Sequence, residues 1–204
     1  MNNKYELTDE IKKICGITLH RIRALRDIPN HYVKAGDLGG WIEKEENLSH
    51  DGNAWVYGDA WVSGNAKVYG DAWVSGNAWV SGNAWVYGNA EVYGNAKVYG
   101  DANVYGNAKV SGNAEVCDNA WVYGNAEVSG NADYMTFKNS WSSGRWFTYT
   151  RSNKMWTVGC FHGSGEELVK KAYADSELSG KCYEAIVRAV EAIEAAKGAN
   201  DEQK

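Results

Sequence analysis

Acid–base, nucleophilic and metal chemistry draw heavily on histidine and cysteine, and this 204-residue chain has four of each. The histidines are His20, His31, His50 and His162; the cysteines are Cys15, Cys117, Cys160 and Cys182. A general base must sit beside the group it deprotonates, and a zinc site needs three or four converging ligands. Only Cys160 and His162 are close neighbours in the sequence. Strand alternation puts them on one side of the chain, where a packed thiol beside a surface imidazole is a simpler reading than a nucleophile with its base. There is no CxxC spacing, and the glycines form no GxxxxGK[ST] phosphate loop. The residues thus offer no catalytic group, no metal ligand set and no cofactor motif, and the chain is read as a non-enzyme.

What the chain has in excess is aromatic: 10 Trp and 13 Tyr, with 23 Gly against a single Pro. A repeat orders them. Asn/Asp-Ala-x-Val-Tyr/Ser-Gly recurs every six residues from Asn53 to about Tyr134, giving fourteen hexads without an insertion. Ala and Val are two apart and point to one side of a strand, so they line a core while x and Tyr/Ser face out. Gly with the following Asn or Asp turns the corner, because both tolerate positive φ; at the one corner without Gly stands Asp118. Three hexads close a triangular coil, and successive coils stack as parallel strands about 4.8 Å apart. Outward residues test that register. Glu91, Lys109 and Glu127 fall in one column and Lys97, Glu115 and Asp133 in another, so each Lys neighbours Glu and only Glu115 and Asp133 are like-charged neighbours. The expected fold is mainly β, a three-sided parallel β-helix (β-solenoid) of about five coils, roughly 22 Å tall.

A coil cannot bury its apolar ends alone, so the flanks should be caps. Residues 1–52 are expected to form an N-terminal β cap running into a first irregular coil, with Ile42 and Leu48 continuing the inward Ala column. Residues 53–134 are the solenoid. Residues 135–204 form a C-terminal α+β cap, with short strands turning at 142–144 and then two helices. Ser164 and Ser179 are the expected N-caps of those helices, and Tyr183, Ile186, Val187, Val190 and Ile193 have helical spacing. Residues 198–204 read as a frayed tail.

The register also sorts the rings. Tyr69, Tyr87, Tyr105 and Tyr123 all fall on the third face, beside a parallel column of Lys67, Trp85, Asn103 and Trp121. Such ladders can simply stabilise stacked strands, at about 0.2–1 kcal/mol per pair. Six large rings on one face would also exceed the apolar patch that soluble monomers expose, which calls for a cover. The candidate binding site is therefore Tyr69, Tyr87, Tyr105, Tyr123, Trp85 and Trp121. Its expected occupant is a second copy, in a dimer or trimer; a host protein or a small molecule such as a nucleotide or sugar are the alternatives. Trp55, Trp61, Trp73 and Trp79 lie on the other two faces and are expected to pack beneath the N-terminal cap.

With 21 basic and 26 acidic side chains the net charge is −5, so no basic excess exists for nucleic acid or anionic lipid. Nearly all of it lies on residues 53–134, with 3 basic and 8 acidic side chains. That is too few to imitate DNA, which would carry roughly thirteen charges over the same length. No apolar stretch is long enough to span a membrane and MNNKYELTDE is not an export signal, so the expected setting is the cytoplasm, with reduced thiols.

The hexads, GNAWVYGDAWVSGNA in particular, resemble those of hexapeptide-repeat proteins, which implies a left-handed parallel β-helix. Beyond them, LHRIRALRDI, VKAGDLGGWI and NLS are similar to the N-terminal part of a group of bacterial and phage hexapeptide-repeat proteins, some labelled acyltransferases by fold alone. The resemblance implies a phage- or mobile-element-associated protein in a bacterial host cell, inhibition of a host defence system being one role it could have. It also implies a rival function, acyl transfer from acetyl-CoA with His50 or His162 as base. Hexapeptide acyltransferases usually carry their histidine on a coil or its loop, and none of the four here lies within the hexads.

Overall fold

The computed structural model describes residues 3–130, 133–142 and 144–201. Thirteen two-residue strands, β4–β16, follow at six-residue steps from Trp55–Val56 to Glu127–Val128. Each is an x residue with its Val, paired in parallel with its equivalent in the next coil: Glu91 with Lys109, Lys97 with Glu115, Asn103 with Trp121. They sort into three sheets, one per side of a solenoid of about five coils. The Ala and Val positions from Ala54 to Val128 are no more than 1% exposed. Two outward positions depart from the pattern, since Trp55 and Ser63 are also buried.

The corners explain the composition. Corner glycines from Gly52 to Gly124 have φ between +59° and +73°, and Asp118 adopts +57° in their place. A Cβ on Gly82 would lie 2.9 Å from both the amide N and the carbonyl O of Gly100 in the next coil. The Asn that follows each corner builds an amide ladder: Asn77 Nδ2 donates to Asn95 Oδ1 and Asn95 to Asn113, each at 3.1 Å. Asp101 accepts from Asn83 at 2.9 Å but, as a carboxylate, has no proton to pass on.

The x, Tyr/Ser and Asn/Asp N–H groups of each coil point toward the C-terminal end, as in Asn103 N–H to Ala120 O at 2.9 Å, and the Ala, Val and Gly carbonyls of the next coil accept them. The first coil consequently leaves those carbonyls as acceptors at one end, here called the acceptor edge, and the last coil leaves those N–H groups as donors at the other, the donor edge, and each cap supplies partners for them. At the acceptor edge Lys4 Nζ donates to Ala54 O (2.7 Å), and Asn47 Nδ2 donates to Ala66 O (2.8 Å). At the donor edge Thr148 Oγ1 accepts from Trp121 N–H (3.0 Å), Ser152 Oγ from Glu127 N–H (2.8 Å) and Asp133 Oδ2 from Ser129 N–H (2.8 Å).

The N-terminal cap is an antiparallel run of β1 (Tyr5–Ile14), β2 (Ile17–Ala24) and β3 (Leu38–Ile42), and β3 then pairs in parallel with Trp61–Val62, extending that side to seven strands. Ile42 and Leu48 do point inward, but they stack on Val62 and Val68 rather than on the Ala column. Two extra residues shift the first coil. They are absorbed at residues 50–52, between Ser49 N–H, bonded to Val68 O, and Asn53 N–H, bonded to Gly70 O.

In the C-terminal cap an antiparallel sheet of β17 (Tyr134–Lys138), β18 (Trp146–Thr150), β19 (Met155–Val158) and β20 (Phe161–Gly163) packs against α1 (Gly165–Asp175) and α2 (Glu177–Asp201) through Phe147, Trp156, Leu168, Val187 and Val190. The fourteenth hexad is not a coil. Tyr134 already belongs to β17, and Asp133, rather than lying below Glu115, turns its carboxylate onto Ser129 and Gly130, which holds it below the usual aspartate range. Ala132 lies outside the described residues. Ser164 caps α1 in a reciprocal box with Glu167. Ser179 does not cap α2; Ser176 does, its Oγ accepting from Ser179 N–H at 3.1 Å. Ile193 is exposed, and α2 continues through residue 198 to Asp201, so the tail expected from 198 is helical up to there; 202–204 lie outside the described residues. No helix among the described residues is long and apolar enough to cross a membrane.

Candidate functional site: an aromatic face and its two ends

The four-stranded sheet holding Lys67–Val68, Trp85–Val86, Asn103–Val104 and Trp121–Val122 carries all six singled-out rings. Since each Tyr follows a buried Val at a fixed place in the hexad, the 4.8 Å strand spacing becomes a ring spacing. Tyr69, Tyr87, Tyr105 and Tyr123 stack with centroids 4.8, 4.8 and 4.5 Å apart and planes 3°, 1° and 22° from parallel. Trp85 meets Tyr69 edge-on at 6.0 Å and Trp121 meets Tyr105 at 6.2 Å. Trp85 remains 43% exposed, with Lys67 Nζ 6.0 Å from its ring centroid. Burial pushes the Tyr69, Tyr87 and Tyr105 phenols above the ordinary value, Tyr105 the furthest. Lys67 is the one charged outward strand residue of this face in the repeat, with Asp101 at its corner, whereas the strands of the other two sides hold Glu91, Lys109 and Glu127, and Lys97 and Glu115.

The two ends of the ladder differ. At the C-terminal end the His162 imidazole lies edge-on to Tyr123, 4.0 Å between centroids. At the N-terminal end the Leu48–Val68 bridge puts Ser49 in register above Tyr69, and a cleft of about 540 Å³ opens there, lined by Glu45, Glu46, Ser49, His50, Lys67 and Tyr69. Sequence reasoning missed this cleft. The two-residue shift of the first coil conceals Ser49 as the column's next member.

The remaining aromatics divide. Trp55 packs beneath the cap, edge-on to Tyr5 at 6.4 Å, and Trp73 lies between His31 (4.7 Å) and Tyr57 (5.7 Å). Trp61 and Trp79 instead form an outward stack of their own at 4.8 Å, continued by Tyr99 at 6.0 Å from Trp79.

Three of the four histidines, His31, His50 and His162, occupy packing positions. His50 stacks on Tyr5 at 4.3 Å, and its Nδ1 accepts from Lys4 N–H. His31 Nε2 lies 3.1 Å from Asp71 O, and burial holds His31 and His162 below the usual imidazole value. Cys160 is exposed while His162 turns toward Tyr123 and Thr157, so the only Cys/His pair adjacent in sequence is not joined by a hydrogen bond among the described residues. No group of three His, Cys, Asp or Glu among the described residues is placed to hold a metal ion.

In sequence, residues 66–82 and 72–88 match the family model of the YdcK beta-solenoid repeat. No curated protein matches the chain. The repeat match falls on the hexads whose strands build the solenoid, and it supports that fold.

Proposed function

We propose that this protein is a non-enzymatic β-solenoid interaction protein whose third face binds a second copy of itself. One observation carries the reading: the aromatic, nearly charge-free face matches itself when turned over. In a two-fold pair with antiparallel solenoid axes, the outward column is read against its own reverse. Lys67 then faces Trp121, an ammonium over an indole, and Trp85 faces Asn103, a large side chain against a small one. Charge depletion at the centre is the compositional mark of an interface core. Four strands about 4.8 Å apart, each about three residues or roughly 10 Å across, give a flat face of roughly 200 Å², well below the roughly 800 Å² per partner of a standard interface, so the pair is weak.

The setting that goes with this reading is the cytoplasm of a bacterial cell, in a phage or mobile-element context; four free thiols, two of them exposed, fit a reducing compartment. A host protein presenting a similar aromatic, uncharged surface would fit the same face, and this is the form a defence inhibitor would take. Sedimentation equilibrium tests the self-pairing. Wild type dimerises with a dissociation constant of roughly 10–100 µM, Trp85→Glu is monomeric because it buries an unpaired charge, and Glu91→Ala on another side leaves the dimer intact. A wild type monomeric throughout this range, or a dimer indifferent to Trp85→Glu, overturns it.

A further inference from the structure

Inside the tyrosine ladder both faces of each ring are already used. Tyr87 lies between Tyr69 and Tyr105, Tyr105 lies between Tyr87 and Tyr123, and the far side of Tyr123 meets His162. A planar ligand cannot stack on Tyr87 or Tyr105 without prising coils apart. The upper face of Tyr69 is different: no ring stacks on it among the described residues, and Ser49, the residue in register above, is too small to cover it. The space is the cleft of about 540 Å³.

Its walls carry polar groups of both signs. Glu45 and Glu46 are exposed carboxylates on the short 3-10 turn Glu45–Asn47, and Lys67 lines the same cleft. None of these three takes part in an ion pair among the described residues. The turn is fixed from beneath, because the Tyr5 hydroxyl lies within hydrogen-bond distance of both Glu45 O (2.9 Å) and Leu48 O (2.8 Å) and shares its one proton between them. Asn47 anchors it further by donating to Gly64 O and Ala66 O. With Nδ1 of His50 accepting from Lys4 N–H, the neutral ring carries its proton on Nε2, adding a donor to the lining.

We infer that this cleft binds a purine nucleobase or nucleoside, stacked on Tyr69 as the next ring of the ladder. Base-on-aromatic stacking uses the open π face. A carboxylate of Glu45 or Glu46 accepts from the ring and exocyclic N–H groups of a guanine-type edge, and Lys67 donates to its O6 or N7. Two carboxylates at the rim disfavour a polyphosphate, so the nucleoside is preferred to its triphosphate. The inference does not rest on self-association, since the cleft lies within one chain.

Ligand-observed NMR with guanosine and adenosine, titrated to their solubility limits, tests it. Saturable binding is expected, with ring-current shifts at Tyr69. Tyr69→Leu should weaken it at least about tenfold, in keeping with the stacking contribution of one base. Ser49→Tyr should abolish it while keeping the circular dichroism of a folded solenoid, because the new ring occupies the ligand's place; Glu45→Gln with Glu46→Gln provides a variant that leaves the column untouched and should also weaken guanosine. Repeating the titration with the protein at about 1 µM, well below the dissociation constant expected for the dimer, separates this site from the dimer. No saturable binding of either nucleoside, or binding unchanged in Ser49→Tyr and Tyr69→Leu, overturns the inference.

Discussion

Lys4 is fully buried and its ammonium, 2.7 Å from Ala54 O, is a donor for the carbonyl edge of the solenoid. Burial is the main cause that lowers its pKa from 10.5 to about 8, with Arg26 adding to the effect and Asp51 and Asp71 opposing it. One factor of ten in proton affinity is worth 1.36 kcal/mol, so keeping Lys4 charged in the folded state costs about 3 kcal/mol at neutral pH. The charged hydrogen bond returns about 1.5–3 kcal/mol. Lys4→Met, which removes both, should therefore change stability little at pH 7. The pH dependence separates the two proteins. Between about pH 8 and 10.5 the folded state of wild type has released this proton and the unfolded chain still holds it. The unfolded state binds more protons, so stability rises with pH. Above about pH 10 the sign reverses, since Tyr5, Tyr105 and Tyr134 are buried, hold their protons when folded and lose them when unfolded. Over pH 8 to 9.5 Lys4 should thus contribute about 1.6 kcal/mol and the three tyrosines, already part-ionised in the unfolded chain, take back about 0.5, a net gain of about 1 kcal/mol for wild type. At about 2–4 °C per kcal/mol for a chain of this size, that raises Tm by roughly 2–4 °C. Thermal unfolding of both proteins across that interval measures it. A rise of the same size in Lys4→Met, or none in wild type, refutes the assignment of a charged lysine to the solenoid's end.

Gly82→Ala combines a positive φ with a Cβ 2.9 Å from the Gly100 backbone and should lose at least about 1–2 kcal/mol in urea unfolding. Gly130→Ala, with open space and no positive φ, should be neutral or slightly stabilising by the same measurement. Ser164→Ala breaks the capping box of α1 and should lower stability by about 1 kcal/mol, whereas Ser179→Ala should leave it unchanged because Ser176 provides the cap of α2; calorimetry of the two variants decides.

Most of the solenoid was legible because six-residue spacing, buried Ala and Val and the Gly corners repeat one local rule, and eighteen-residue stacking turns that rule into sheet register. The tyrosine ladder followed from the same arithmetic. Reading failed where a tertiary contact replaces the period. Ile42 and Leu48 kept the six-residue step, but the corner at 50–52 holds two extra residues, and counting alone assigns them to the wrong column. The fourteenth hexad ends in β17, and the Thr148 and Ser152 hydroxyls stand in at the donor edge for the carbonyls that another coil would supply. Ser179 looked like a cap by residue type, yet Ser176, three residues earlier, takes the first turn. The cleft above Tyr69 was hidden for the same reason as the Ile42 register, since it exists only once Ser49 is placed in the column.

The self-pairing of the aromatic face is tested most directly by placing the photo-cross-linker p-benzoyl-phenylalanine at position 85 and irradiating a mixture of isotopically light and heavy protein. Antiparallel pairing puts position 85 opposite Asn103 of the second copy, so mixed-isotope cross-links should map to the hexad around Asn103. Cross-links confined to one chain, or intermolecular ones that map to the caps or to the other two sides, would contradict it.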